Sequence, residues 1–169
     1  EPEFLLGLTA TPERMDNQDV FDMFDKNVPY ELRLRDAIIN DLVVPFKYYG
    51  IRDTLIEYGL PKNKEHKMVS QLATIEHCDF IKKEIEKHRP EGKLKALAFC
   101  RNVAHARMMC EAMGEHYKTA YLTGKNDIGE RIRAYNDLQS DDKELEILFT
   151  VDILNEGVDI PGVNMVLFL

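Results

Sequence analysis

Residues 96–122 read ALAFCRNVAHARMMCEAMGEHYKTAYL, and this stretch decides the fold. Ala96 to Cys100 is an uninterrupted apolar run, short enough for a strand buried on both faces. Asn102 follows as an N-cap, because its side chain can accept an orphan N–H of the first helical turn. Ala106, Met109, Cys110 and Met113 then recur at helical spacing, and Gly114 marks the stop. Thr119 to Leu122 is the next strand. Strand, capped helix and strand in so short a span make a βαβ unit.

The same rhythm continues toward the C-terminus. Asp127 caps a helix expected to turn Ile128, Ile132, Tyr135 and Leu138 inward. Leu145 to Val151 is a strand, and Met165 to Leu169 is another. Upstream, residues 61–90 carry the longest helical pattern, with Met68, Leu72, Ile75, Phe80, Ile81 and Ile85 on its apolar face and Pro90-Glu91-Gly92 ending it. Phe4 to Leu8 reads as a buried strand halted by Pro12. Asp16 or Asn17 caps a short helix bearing Val20, Phe21 and Phe24. Tyr30 to Leu34 reads as a strand or a linker. Leu34, Ile38, Ile39 and Leu42 form a helical face, and Phe46 to Ile51 a strand. The architecture expected is α/β, a parallel sheet flanked by helices with every strand ending on one rim. Ligands gather at that rim in open sheets of this kind. Its loops begin at Arg101, Thr123 and Asp152.

Composition bounds the function. The chain has 169 residues, 44% hydrophobic and 31% charged, and a formal net charge of −8. That charge argues against a free-standing basic nucleic-acid binder, whose affinity comes from cations neutralising phosphates. No apolar run is long enough to cross a bilayer, so no membrane partner is expected. Three cysteines, Cys78, Cys100 and Cys110, form no C-x-x-C pair and suit a reducing, cytoplasmic setting. The chain begins without Met and stops inside the apolar run Val166–Leu169, which reads as truncation at both ends. His66, His77 and His88 recur every eleven residues and read as surface histidines, too far apart for one metal ion. Met108, Met109 and Met113 read as core filler. Acidic residues 141–146 read as a solvated loop.

Two further segments reach beyond periodicity: GLTATPER at 7–14 and FTVDILNEGVDIP at 149–161. Together they resemble the superfamily 2 helicases of the DEAD/DEAH-like group, especially the type III restriction-type branch. Gly7 to Pro12 resembles motif III, Ala96 to Asn102 motif IV, and residues 149–161 motif V. Leu122-Thr123-Gly124 followed by Glu130-Arg131 is similar to that family's L-x-G … E-R stretch. The order and spacing agree over nearly the whole chain.

The resemblance implies a RecA-like fold, with residues 1–30 the end of a first lobe and residues 31–169 most of a second, helicase C-terminal lobe. It implies a parent protein that binds ATP and Mg between the lobes and moves on DNA or RNA. Partners are then the missing first lobe and a nucleic acid, held weakly by this chain alone. Thr9, Ala10 and Thr11 correspond to the coupling motif, and Gly157 and Asp159 to nucleotide-binding positions. Arg131, Gly124, Thr150 and Asn102 correspond to nucleic-acid-binding positions. Read without the resemblance, Gly157 is a loop glycine, Asp159 a turn cap, and Arg131 a surface cation beside Glu130.

Departures and absences shape the expectation. DEAD-box relatives carry a threonine where Val151 stands. Thr150 lies one residue earlier, on the other face of an extended strand. Ile128 stands in place of a glutamine, and Glu156 in place of an arginine. The chain has no G-x-x-x-x-G-K-[ST] phosphate loop, no Asp-Glu dipeptide and no Q-x-x-G-R-x-x-R. Those groups supply most of the charge stabilisation in phosphoryl transfer. No catalytic residue and no metal ligand are therefore assigned to this chain, which is expected not to hydrolyse ATP alone. The alternative is a non-catalytic RecA-like interaction or nucleotide-sensing domain.

Overall fold

A computed structural model describes residues 3–9, 20–52, 75–151, 153 and 159–169. The chain divides into two compact units, Glu1–Ile51 and Arg52–Leu169.

The second unit is built on four short parallel strands: β1 (Ala96–Phe99), β2 (Thr119–Leu122), β3 (Ile147–Thr150) and β4 (Met165–Phe168). Their order is β2-β3-β1-β4. Register runs straight across, so Leu122, Thr150, Phe99 and Phe168 form one row at the strands' C-terminal ends. Three helices accompany the sheet: α2 (Ile75–His88), α3 (Val103–Met113) and α4 (Ile128–Gln139), after a short α1 (Leu34–Ile39) in the first unit. This is the α/β architecture expected from the sequence.

Side-chain alternation divides the core in two. On one face Ala96, Ala98, Cys100, Ile147, Phe149 and Val151 pack with Cys78, Ile81 and Ile85 of α2 and Ala106, Met109 and Met113 of α3. On the other, Leu97, Leu122 and Leu148 meet Leu138 of α4. Helix α2 ends as its Pro90-Glu91-Gly92 signal requires, with Gly92 at φ +85°, a left-handed turn that a side chain would strain.

The margin where the strands begin is stitched by contacts distant in sequence. The Asn164 side chain accepts from Lys95 N–H at 2.9 Å and donates to Lys93 C=O at 2.8 Å, acting as one more rung between β1 and β4. Lys93 Nζ donates to the carbonyls of Ser140 and Lys143, and Lys95 Nζ to that of Gln139. Both lysines thereby serve the C-terminal end of α4, where the helix dipole favours cations.

Several expectations are corrected. Ile128 and Ile132 do not turn inward: they are 75% and 50% exposed, because α4 touches the sheet mainly through its C-terminal half around Leu138. His77 is buried at 4% exposure, its ring stacked beside Phe80. The acidic loop is paired as well as solvated. Asp141 reaches Lys95 Nζ at 2.6 Å, and the Glu146 carboxylate accepts from Lys118 N–H at 3.0 Å.

In the first unit, a 3-10 turn at Val20–Phe24 and helix α1 are the described elements, with Ala37 the buried residue of α1. Gly7 backs onto the Phe24 ring, leaving no room for a side chain. Phe4 to Leu8 and Phe46 to Ile51 form no strand, and their side chains lie exposed. An apolar run becomes a strand only where a neighbour supplies backbone partners, and the described residues of this unit supply none. The expected caps at Asp16 or Asn17, and Met68 and Leu72 of the long helix, lie outside the described residues.

Candidate functional site

Because all four strands run parallel, every loop leaving their C-terminal ends meets one rim. Two such loops are fully described, and each is fastened by its own side chains.

Asn102 caps α3, its side chain accepting from His105 N–H at 2.9 Å. His105 returns the favour: its Nδ1 accepts from Arg101 N–H at 3.3 Å. Asn102 is thus committed to holding the β1–α3 loop. His105 itself is fully buried, and its Nε2 has no hydrogen-bond partner among the described residues. Burial, aided by the nearby His77 and Arg101, holds its ring pKa down at about 4. With Nδ1 accepting, the neutral ring carries its proton on Nε2. His105 escaped the sequence reading. A polar residue three positions after an Asn cap was the available signal, since such positions reach back across the helix start.

The β2–α4 loop is framed more densely. Asp127 and Glu130 form a capping box, with Glu130 N–H to Asp127 Oδ1 at 2.8 Å and Asp127 N–H to Glu130 Oε2 at 3.0 Å. Asn126 Oδ1 accepts from both the N–H and the hydroxyl of Thr123, and Asn126 Nδ2 donates to Glu130 at 3.1 Å. The Lys125 N–H donates to Thr123 Oγ1 at 3.2 Å. Arg131 closes the frame. Its Nε donates to Asn126 C=O and its Nη2 to Gly124 C=O, each at 3.0 Å. The structure therefore brings Arg131 and Gly124 together.

Thr150 stands between these loops at the end of β3, paired in register with Leu122 and Phe99. It is fully buried, and its Oγ1 has no hydrogen-bond partner among the described residues. By alternation it shares the α4 face with Leu148, whereas Val151 belongs with Phe149 on the α2/α3 face. Asp159 is exposed, just ahead of a turn in which Val163 N–H donates to Ile160 C=O at 3.1 Å. Ile160 and Val163, which follow it, pack on the α4 face. Thr9 is exposed in the first unit. Ala10, Thr11 and Gly157 lie outside the described residues. Burial pushes the Cys100 thiol, at the base of the rim, up to about 12.

The family model described as Helicase conserved C-terminal domain matches residues 76–169. Among curated proteins, the chain is 26% identical over 180 residues to "Putative helicase 22" of Sulfolobus islandicus filamentous virus (isolate Iceland/Hveragerdi), covering 97% of this chain and 32% of that protein. It is 31% identical over 93 residues to the "Type I restriction enzyme EcoKI endonuclease subunit" of Escherichia coli (strain K12), covering 47% of this chain and 8% of that one. The chain thus spans about a third or less of these relatives. A solved structure described as "Mss116p DEAD-box helicase domain 2 bound to an RNA duplex" is similar at TM-score 0.43 and 23% identity, covering 57% of this chain and 38% of that chain.

Proposed function

The chain belongs to the family of the helicase conserved C-terminal domain, and on that premise we propose that residues 31–169 are a second RecA-like lobe of an ATP-dependent helicase or translocase. Residues 1–30 are then the end of the first lobe, with Thr9, Ala10 and Thr11 its coupling segment. The observation that carries this reading is the coincidence of the family match, residues 76–169, with the parallel sheet and its rim loops. We assign the chain to a type III restriction-type branch on the resemblance of residues 149–161 to motif V; the restriction-enzyme subunit it is similar to is of type I. Its setting is cytoplasmic, in keeping with three free thiols.

In this reading the rim faces DNA or RNA through Arg131, Gly124, Thr150 and the loop that Asn102 caps, while Gly157 and Asp159 face the nucleotide. The described donors do not fit a complete ATP–Mg site by themselves. Among the described residues there is no cluster of three His, Cys, Asp or Glu side chains able to take a metal, and Asp159 is exposed. In this reading ATP and Mg belong to the parent protein and are not held by this chain alone.

The test is ATP turnover with and without single-stranded DNA or RNA. The 169-residue chain is expected to show none, and a protein carrying the first lobe ahead of it to show stimulated turnover. Stimulated turnover by this chain alone, or none by the longer protein, overturns the proposal.

A further inference from the structure

The reading above gives the phosphate contact to Arg131, yet the geometry spends that side chain elsewhere. Nε and Nη2 are both occupied by carbonyls of its own loop, Asn126 and Gly124. A planar guanidinium suits this task because it presents several donors in a rigid fork. Around it Asn126, Glu130, Asp127 and Thr123 bind one another, so the loop is fixed from both ends. One cation in the loop is presented outward. Lys125 is exposed, and its backbone is tied by its N–H to Thr123 Oγ1. No hydrogen bond or ion pair engages its ammonium among the described residues.

We infer that Lys125 is the phosphate-contacting cation of this rim, and that Arg131 is a positioning residue that holds the loop presenting it. The inference rests on the reading of the rim as a nucleic-acid surface. Lys125 lies on neither the apolar pattern nor the quoted motif positions, so it drew no attention in the sequence. A compact ammonium on a flexible stem binds phosphate as a point charge. A lysine mounted on a rigid loop loses less freedom on binding than one on a loose loop.

Three variants of the 169-residue chain test this, each titrated with dT20 and U20 oligonucleotides over a series of salt concentrations. Amide hydrogen exchange is followed in parallel. Lys125→Gln is expected to lower the salt slope by about 1, as for one lost phosphate contact, with exchange in residues 123–127 unchanged. Arg131→Lys keeps the charge but cannot bridge two carbonyls in fork geometry. It is expected to speed exchange at 124–127 by about tenfold or more and to weaken binding, while β1 and β3 amides stay protected. Arg131→Gln should match Arg131→Lys in both readouts. If Arg131→Lys leaves binding and exchange untouched while Arg131→Gln lowers the slope by about 1, Arg131 is itself the contact and the inference fails. If the parent chain binds but Lys125→Gln leaves the slope unchanged, Lys125 is not the contact. If the parent chain binds neither oligonucleotide, the nucleic-acid reading falls and Lys125's role with it, and the exchange data still decide the brace.

Discussion

The two faces of the sheet are built to different standards. The α2/α3 face is a continuous apolar layer, with Phe149, Ile85, Met109 and Met113 almost fully buried. The α4 face has a small core of Leu97, Leu122, Leu138 and Leu148, while Ile132, Val166 and Phe168 stay about half exposed or more. It also carries the buried Thr150 hydroxyl, which has no partner among the described residues. Apolar packing is thus concentrated on one side, while buried polar groups at the rim occur on both: Thr150 on the thin face and His105, whose Nε2 has no partner among the described residues, on the dense one. A fold can tolerate an incompletely satisfied group where ligands meet it, provided the layers around it are dense enough to hold the sheet.

The most severe test of that contrast is Phe149→Ala. Emptying the centre of the dense face should cost about 3–5 kcal/mol, read as a lower midpoint in urea. A loss below about 1 kcal/mol would show that the dense face is not what holds the sheet.

Acid probes the same face through His105. Its ordinary pKa of 6.5 is lowered to about 4 in the fold, chiefly by burial, with His77 and Arg101 nearby adding to the shift. The unfolded chain therefore binds the proton first as pH falls. Stability from this group is whole above about pH 6.5 and drains away down to about pH 4. The loss approaches about 3 kcal/mol, and His105→Leu should flatten this part of the pH–stability curve.

On the thin face Thr150→Val should act in the opposite direction. It keeps the shape of the side chain and removes a buried hydroxyl that has no partner among the described residues, so the fold should gain about 1 kcal/mol by thermal melting. A loss instead would mean that the hydroxyl has found a partner in solution. The smallest effect should come from Ile132→Ser, which removes a half-exposed side chain and should leave stability within about 0.5 kcal/mol. If it destabilises as strongly as Phe149→Ala, the two faces are equal and the contrast is gone.

The sequence could be read for whatever is local. β1, β2 and their neighbours are unbroken apolar runs, and the Asn102 and Asp127 caps bond to residues three positions away. What escaped depends on partners distant in the chain. Phe46 to Ile51 has a strand's composition and no strand beside it among the described residues. Ile128 and Ile132 have core spacing, but α4 packs on the sheet through Ala134, Tyr135 and Leu138 and leaves them exposed. Lys93, Lys95 and Asn164 carry no periodic signal, since their bonds span 44 to 71 residues. At the site, Gly124 and Arg131 were named through the family resemblance alone, each as a nucleic-acid-binding position. That Arg131 turns back onto its own loop was not legible, because spacing says which residues can meet and not which atoms they use.

The strand order has a consequence for how the chain assembles. β1 emerges first from synthesis yet ends up in the interior of the sheet, between β3 and β4. Ala96 pairs with Ile147 on one side and Met165 on the other, so neither edge of β1 is covered until those later strands are made. Until then Ala96–Phe99 is a short apolar ribbon with two open edges, and open edges recruit other chains. Closing such long loops makes the sheet slow to form. Helix α2, made before β1, and helix α3, joined to it through the three-residue link Cys100-Arg101-Asn102, are the covers at hand before those strands, and the Asn102 cap that starts α3 is a guard against aggregation as much as a piece of the rim.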